Sequence, residues 1–141
     1  LSRFLTLVAV AALVPLFAFA QTASLFRSPY CGCCLGHAEY LKNEGYEVEV
    51  VEMEQDALTA LKQSKNIPAG LQGCHTVMIE GYVVEGHVPV EAIEKLLAER
   101  PEITGISLPG MPMGSPGMNG EKTAPFTVMK IGGDGGVFTV I

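Results

Sequence analysis

Four cysteines, Cys31, Cys33, Cys34 and Cys74, are the residues of this chain best suited to chemistry. Cys31 and Cys34 form a C-x-x-C spacing at the head of a predicted helix, where unpaired amides and the helix dipole favour thiolate over thiol. Thiolate both attacks disulfides and binds soft metals, so this spacing alone leaves both chemistries open. Cys33 helps to separate them. Dithiol exchange needs one nucleophilic and one resolving sulfur, and a third thiol between them invites scrambled mixed disulfides. Three thiolates this close suit the bridging of several soft ions instead. A disulfide framework explains Cys31-Gly32-Cys33-Cys34 poorly, because near-adjacent pairing is strained and closes almost no loop.

Cys74 stands in Gly73-Cys74-His75-Thr76, just before a predicted strand, and soft sulfur donors of this kind select Cu(I), zinc or iron-sulfur clusters. Met111, Met113 and Met118 tip the choice toward copper, since thioethers serve Cu(I) well and zinc poorly. Methionine also fills gaps in cores, but a loop of alternating Pro and Gly rarely calls for it. His75 and His87 can supply imidazole to a copper that cycles to Cu(II). Each is evenly balanced between ligation and plain hydrogen bonding. Strand alternation argues against Cys74 and His75 both reaching one site. His37, further along the first helix, is expected on the surface, and Glu47, Glu49, Glu52 and Glu54 read as the solvated face of a strand.

The elements that must position these residues follow from periodicity. Residues 23–27 predict a first strand, and Ser28-Pro29-Tyr30 a turn into a helix whose inward face is Cys31, Cys34, Leu35, Ala38 and Leu41. Tyr46, Val48 and Val50 alternate with Glu47 and Glu49 as a half-buried strand. Residues 55–65 predict a second helix with Ala57, Leu58 and Leu61 inward. Residues 75–79 and 82–85 read as strands joined by a tight Glu80-Gly81 turn. Pro89 opens a third helix with Val90, Ile93, Leu96 and Leu97 buried, closed by Arg100-Pro101. The order β-α-β-α-β-β-α predicts an α/β, thioredoxin-like core in which Cys74 faces the C-x-x-C from the same end of the sheet. Residues 102–124 break the pattern as a Met/Gly/Pro-rich loop, and residues 126–131 and 137–141 predict a closing β-hairpin.

Residues 1–20 read as a secretory signal peptide, with an apolar run, Pro15 near its end and Ala18-Phe19-Ala20 before the expected cleavage. An uncleaved, membrane-anchored form is the weaker alternative, and no later segment is apolar enough to span a bilayer. The domain expected after cleavage, residues 21–141, carries eight Lys and Arg against 15 Asp and Glu, a net charge of −7. That balance excludes nucleic acid as a partner, because phosphate binding needs clustered cationic side chains.

Ser28-Pro29-Tyr30-Cys31-Gly32-Cys33-Cys34, Gly73-Cys74-His75-Thr76, Gly81-Tyr82-Val83-Val84-Glu85-Gly86-His87-Val88-Pro89 and the stretch from Pro109 to Met118 together resemble the CopG-type family of bacterial copper-resistance proteins. The resemblance implies a thioredoxin-like domain, a periplasmic location, a cysteine-bridged cluster of several copper ions and a role in interconverting Cu(I) and Cu(II). It also implies a periplasmic chaperone, efflux or electron-transfer partner. Carried over, Cys31, Cys33, Cys34 and Cys74 take the bridging positions, and Met111, Met113, Met118 and His87 the other metal-site positions. Relatives often carry an aromatic residue soon after the CGCC block, where this chain has Leu35-Gly36-His37-Ala38. Two readings compete: thiol-disulfide exchange at Cys31 and Cys34, and a structural zinc held by cysteines with His75 as fourth ligand.

Overall fold

The structure, a computed structural model, describes residues 19–141, so the expected signal peptide lies, but for Phe19 and Ala20, outside the described residues. The first strand, β1 (Thr22–Arg27), leads into α1 (Gly32–Asn43), β2 (Glu47–Glu52) and α2 (Gln55–Ser64). A single 3-10 turn (Ala69–Leu71) precedes β3 (His75–Ile79) and β4 (Tyr82–Glu85), and α3 (Val90–Glu99) follows. The chain ends in β5 (Gly105–Ser107), β6 (Thr127–Ile131) and β7 (Val137–Val140). The expected β-α-β-α-β-β-α order is therefore present.

One seven-stranded sheet, in the order β2-β1-β3-β4-β5-β6-β7, carries everything else. β1 runs parallel to β2 and antiparallel to β3, which is antiparallel to β4. The β3–β4 turn is tight because Glu80 and Gly81 both adopt positive φ, 47° and 84°, the backbone twist that two-residue hairpins require. The closing hairpin is not separate. β5, a three-residue strand absent from the sequence expectation, pairs with β4 on one side and β6 on the other and draws the hairpin into the sheet.

Strand alternation divides the sheet into two faces. Leu25, Val77, Ile79 and Val84 pack with Leu41, Ala38, Ile93 and Leu96 under α1 and α3. On the other face α2 brings Lys62 to Thr76 and Glu85, which are cross-strand partners. Each fully buried Leu or Ile of the first face contributes about 1.5–3 kcal/mol. α3 ends where Arg100 turns left-handed and its amide closes on Leu96 O, with Pro101 preventing continuation.

Two inward assignments and one surface assignment are corrected. Leu35 is exposed, and the α1 residues buried with Cys34, Ala38 and Leu41 include His37. Leu35 lies about 100° around the helix from Cys34, whereas His37 lies about 60° on the other side, closer to the line through Ala38 and Leu41. Ala57 is exposed; Leu58 and Lys62 are the buried positions of α2. Glu47, Glu49, Glu52 and Glu54 are solvated as expected. Among the described residues no helix is long and apolar enough to cross a membrane.

Candidate metal centre

The sheet register explains why distant sequence blocks meet. Arg27, the last residue of β1, pairs with His75, the first of β3. The turn after β1 and the loop before β3 therefore leave the sheet side by side. Glu85, the last residue of β4, pairs with Thr76 and with Ser107, the last of β5. The His87 segment and the methionine loop emerge at that same end.

Cys31 caps α1 and Cys33 and Cys34 occupy its first turn. Cys34 Sγ lies 3.5 Å and Cys33 Sγ 3.8 Å from Cys74 Sγ, and Cys31 Sγ lies 3.6 Å from Cys33 Sγ. All four sulfurs sit within 4.8 Å of one another. The sequence reading discounts a disulfide here, but the structure joins Cys31 to Cys34, with Cα atoms 5.5 Å apart, and leaves Cys33 and Cys74 as thiols. One turn of helix brings residues i and i+3 together, so this spacing fits a bridge that the adjacent pair Cys33–Cys34 would not.

Two buried charges hold the cysteine loops. Arg27, almost fully buried, donates to Cys31 O at 3.2 Å and Pro29 O at 3.1 Å and pairs with Glu52. Glu85, fully buried, accepts from Gly73 N–H at 3.0 Å on Oε1, the oxygen that also pairs with Lys62 Nζ, and from Thr76 Oγ1–H at 2.7 Å on Oε2. Burial raises the Glu85 carboxyl, and Lys62 and the hydrogen bonds oppose that shift. Neither clamp was foreseen from sequence.

The histidines form a directed chain. His37 Nε2 lies 3.0 Å from Val88 O, which can only accept, so this nitrogen carries the proton. His37 Nδ1 is then an acceptor for His75 Nε2–H at 2.8 Å. That leaves the lone pair of His75 Nδ1 facing Cys74 Sγ at 3.4 Å. His87 Nδ1 donates to Pro116 O at 2.7 Å, which leaves its Nε2 lone pair facing the same sulfur at 3.6 Å. The assignment requires neutral rings. Burial lowers His37 to about 4, holds His75 well below the usual imidazole range, and lowers His87. Burial, then the nearness of Cys33, pushes the Cys74 thiol up to about 12.

One thiol proton can satisfy only one of the two lone pairs aimed at Cys74. Two imidazole nitrogens and a sulfur converging in this way form a donor set for a metal ion, and these three residues make a second potential metal group beside the cysteine quartet. Cys74 and His75 thus both reach the site, because Cys74 precedes β3 and the alternation rule does not bind it. His37 is buried, not on the surface, and orients His75.

The methionine loop borders the cysteine site. Met113 and Met118 line a pocket of about 470 Å³ with Gly32, Cys33, Gly117 and Asn119. Met111 and Met113 are both exposed, and Met111 is not among those lining residues. The loop reaches α1 through bare backbone. A Cβ on Gly36 would stand 2.7 Å from Gly117 O, and Gly117 itself has φ 83°, a conformation glycine adopts without strain.

Two solved structures described as "Copper resistance protein copG" resemble this chain over most of its length. One is 35% identical, covers 86% of this chain and 96% of its own, and superposes with a TM-score of 0.75. The chain belongs to the CopG family. The other structure is 32% identical, with 87% and 98% coverage and a TM-score of 0.77. Residues 71–118 also match a family described as "Protein of unknown function, DUF411". That stretch carries Cys74, His75, His87 and the three loop methionines, whereas the CGCC block lies outside it. No curated protein matches the chain.

Proposed function

We propose that this chain is an exported copper-resistance protein whose reduced cysteines, Cys31, Cys33, Cys34 and Cys74, bridge several copper ions at the end of the sheet. In this reading residues 1–20 are a signal peptide and residues 21–141 the periplasmic copper-binding domain. Met113 and Met118 complete the soft donor set from the pocket side, with Met111 at its outer margin. His75 and His87 supply nitrogen when copper is Cu(II), so the centre interconverts Cu(I) and Cu(II) and passes copper or electrons to a periplasmic chaperone, efflux or electron-transfer partner.

The observation that carries this reading is the convergence of four sulfurs within 4.8 Å in a chain similar to solved copper-resistance proteins. Once the Cys31–Cys34 disulfide is reduced, four thiolates cannot share so small a volume unless cations neutralise them. Soft Cu(I) satisfies each by bridging.

The test is an anaerobic Cu(I) titration of fully reduced protein, read by metal analysis and X-ray absorption. More than one copper per chain, with short copper-copper distances, is expected. One zinc retained in preference to copper, or no copper bound, refutes it. Cys33→Ser should lower the copper count. The Cys31–Cys34 disulfide favours thiol-disulfide exchange as a second reading, which requires reductase activity in metal-free protein and survival of that activity in Cys33→Ser.

A further inference from the structure

The two potential metal groups at the sheet end share one atom. Cys74 Sγ belongs to the cysteine quartet and also to the set it forms with His75 and His87. The quartet is all sulfur and suits Cu(I), while two imidazoles and one sulfur meet the preference of Cu(II) for nitrogen. The His75 Nδ1 and His87 Nε2 lone pairs stand 3.4 and 3.6 Å from that shared sulfur, and Cys34 Sγ stands 3.5 Å from it. A Cu(II) ion held by the imidazoles is therefore one sulfur away from the pair Cys31 and Cys34, the two cysteines that the structure joins as a disulfide.

Cys33 and Cys74 remain thiols and adjoin the other candidate donors. Cys33 lines the pocket with Met113 and Met118, and Cys74 faces the imidazoles. The four sulfurs thus divide into a pair that closes on itself and a pair that stays available to metal in the oxidised protein.

We propose that the Cys31/Cys34 dithiol is the internal electron source of the centre: Cu(II) bound at Cys74, His75 and His87 is reduced to Cu(I), and the disulfide is the oxidised product. The inference rests on the copper reading above and names the donor that the reading lacks. Two Cu(II) ions each take one electron, the Cys31 and Cys34 sulfurs lose one electron each, and the S–S bond forms between them. Two thiol protons leave to solvent. The two Cu(I) ions pass to Cys33, Cys74 and the thioethers, whose softness suits them better than the imidazole set. Dithiol couples are reducing relative to copper bound by mixed nitrogen and sulfur ligands, so electrons run from sulfur to copper. Reopening the disulfide for a second round requires an external dithiol, by ordinary exchange.

The experiment uses full-length protein exported to its mature form, reduced, freed of metal and handled anaerobically. One sample receives two equivalents of Cu(II) and a parallel sample two equivalents of Cu(I). Electron paramagnetic resonance follows Cu(II). After removal of Cu(II) by a hard chelator and Cu(I) by a soft one, the remaining thiols are alkylated, counted and mapped by mass spectrometry. The expected result in the Cu(II) sample is loss of the Cu(II) signal and a fall from four alkylated cysteines to two, with Cys31 joined to Cys34. The Cu(I) sample should keep all four. His87→Ala, which leaves every cysteine in place, should slow loss of the Cu(II) signal at least tenfold.

A persistent Cu(II) signal with four alkylated cysteines overturns the inference, and so does a disulfide involving Cys33 or Cys74. Cu(I) binding in the parallel sample is read independently. Its failure alone refutes the copper-holding function, whereas Cu(I) binding with unchanged thiols in the Cu(II) sample leaves that function standing and removes only the electron source.

Discussion

Acidification of the metal-free, disulfide-bonded protein should destabilise it through its buried histidines, and His37 sets the scale. In the folded chain its pKa is lowered from 6.5 to about 4, chiefly by burial and slightly by His87. Between those values the unfolded chain holds the proton and the folded chain does not, so stability is fully present above pH 6.5 and is lost as pH falls toward 4. Integrating over that interval, His37 alone removes about 2 kcal/mol between pH 7 and pH 5, and about 3 kcal/mol once both states are protonated. His75 and His87 are shifted in the same direction. Glu85 is shifted upward and acts in the opposite sense, so the His37 share must be isolated by difference.

His37→Phe keeps a ring of similar size but cannot titrate. Urea unfolding of both proteins at pH 7 and pH 5 yields two slopes, and constant losses, such as the orphaned His75 Nε2–H, cancel between them. The wild-type protein should lose about 2 kcal/mol more than the variant over that range. Equal slopes would show that His37 is protonated in the folded state, and the tautomer chain that aims His75 at Cys74 would fall with it.

Three further outcomes follow from the same contacts. Gly36→Ala places a methyl 2.7 Å from Gly117 O, so the methionine loop must move although alanine itself favours α1 by about 1 kcal/mol; Cu(I) competition titrations should show affinity reduced about tenfold or more, with thermal stability nearly unchanged. Lys62→Met strands the buried Glu85 carboxylate and should cost about 3–5 kcal/mol in urea unfolding. Lys62→Met combined with Glu85→Leu should recover most of that loss while leaving Gly73 N–H unheld, which weakens copper binding. Arg27→Ala removes the donor to Cys31 O and Pro29 O and should cost about 2–3 kcal/mol, with faster alkylation of Cys33 as the local readout.

Most of the element order was legible because it rests on local pattern. Alternation in Glu47–Glu52, the Glu80-Gly81 turn and the Pro89 and Arg100-Pro101 boundaries are set by residues within a few positions of one another. The convergence of Cys74 on the CGCC block followed from topology, and the register Arg27 to His75 realises it. Features that depend on distant partners were not legible. β5 is three residues with a glycine, and only β4 and β6 on its flanks make it a strand. Lys62 is buried because Glu85, 23 residues later, neutralises it. His37 was misplaced because hydrophobicity chose Leu35 for the inner face, although i+3 from Cys34 and i−4 from Leu41 is an inner position. The reading that a disulfide framework explains the CGCC block poorly weighed how little loop it would close. It overlooked that a helix turn presents Cys31 and Cys34 to each other at no entropic cost beyond the helix itself.

The way the site is supported also explains why its chemistry sits at this end of the sheet. Four segments leave four strands together there, and each is fixed by a contact that has little tolerance. Arg27 holds the first turn, Glu85 holds Gly73, His87 holds Pro116, and Gly36 against Gly117 holds the methionine loop. All four contacts use backbone groups, so the candidate ligands are set by the path of the main chain rather than by their own packing. A centre of the kind proposed above, changing between two oxidation states, would gain from this arrangement. For the copper function proposed above, the main chain that carries the donors would stay fixed, and rearrangement would fall on the cysteine sulfurs and the lone pairs that face Cys74.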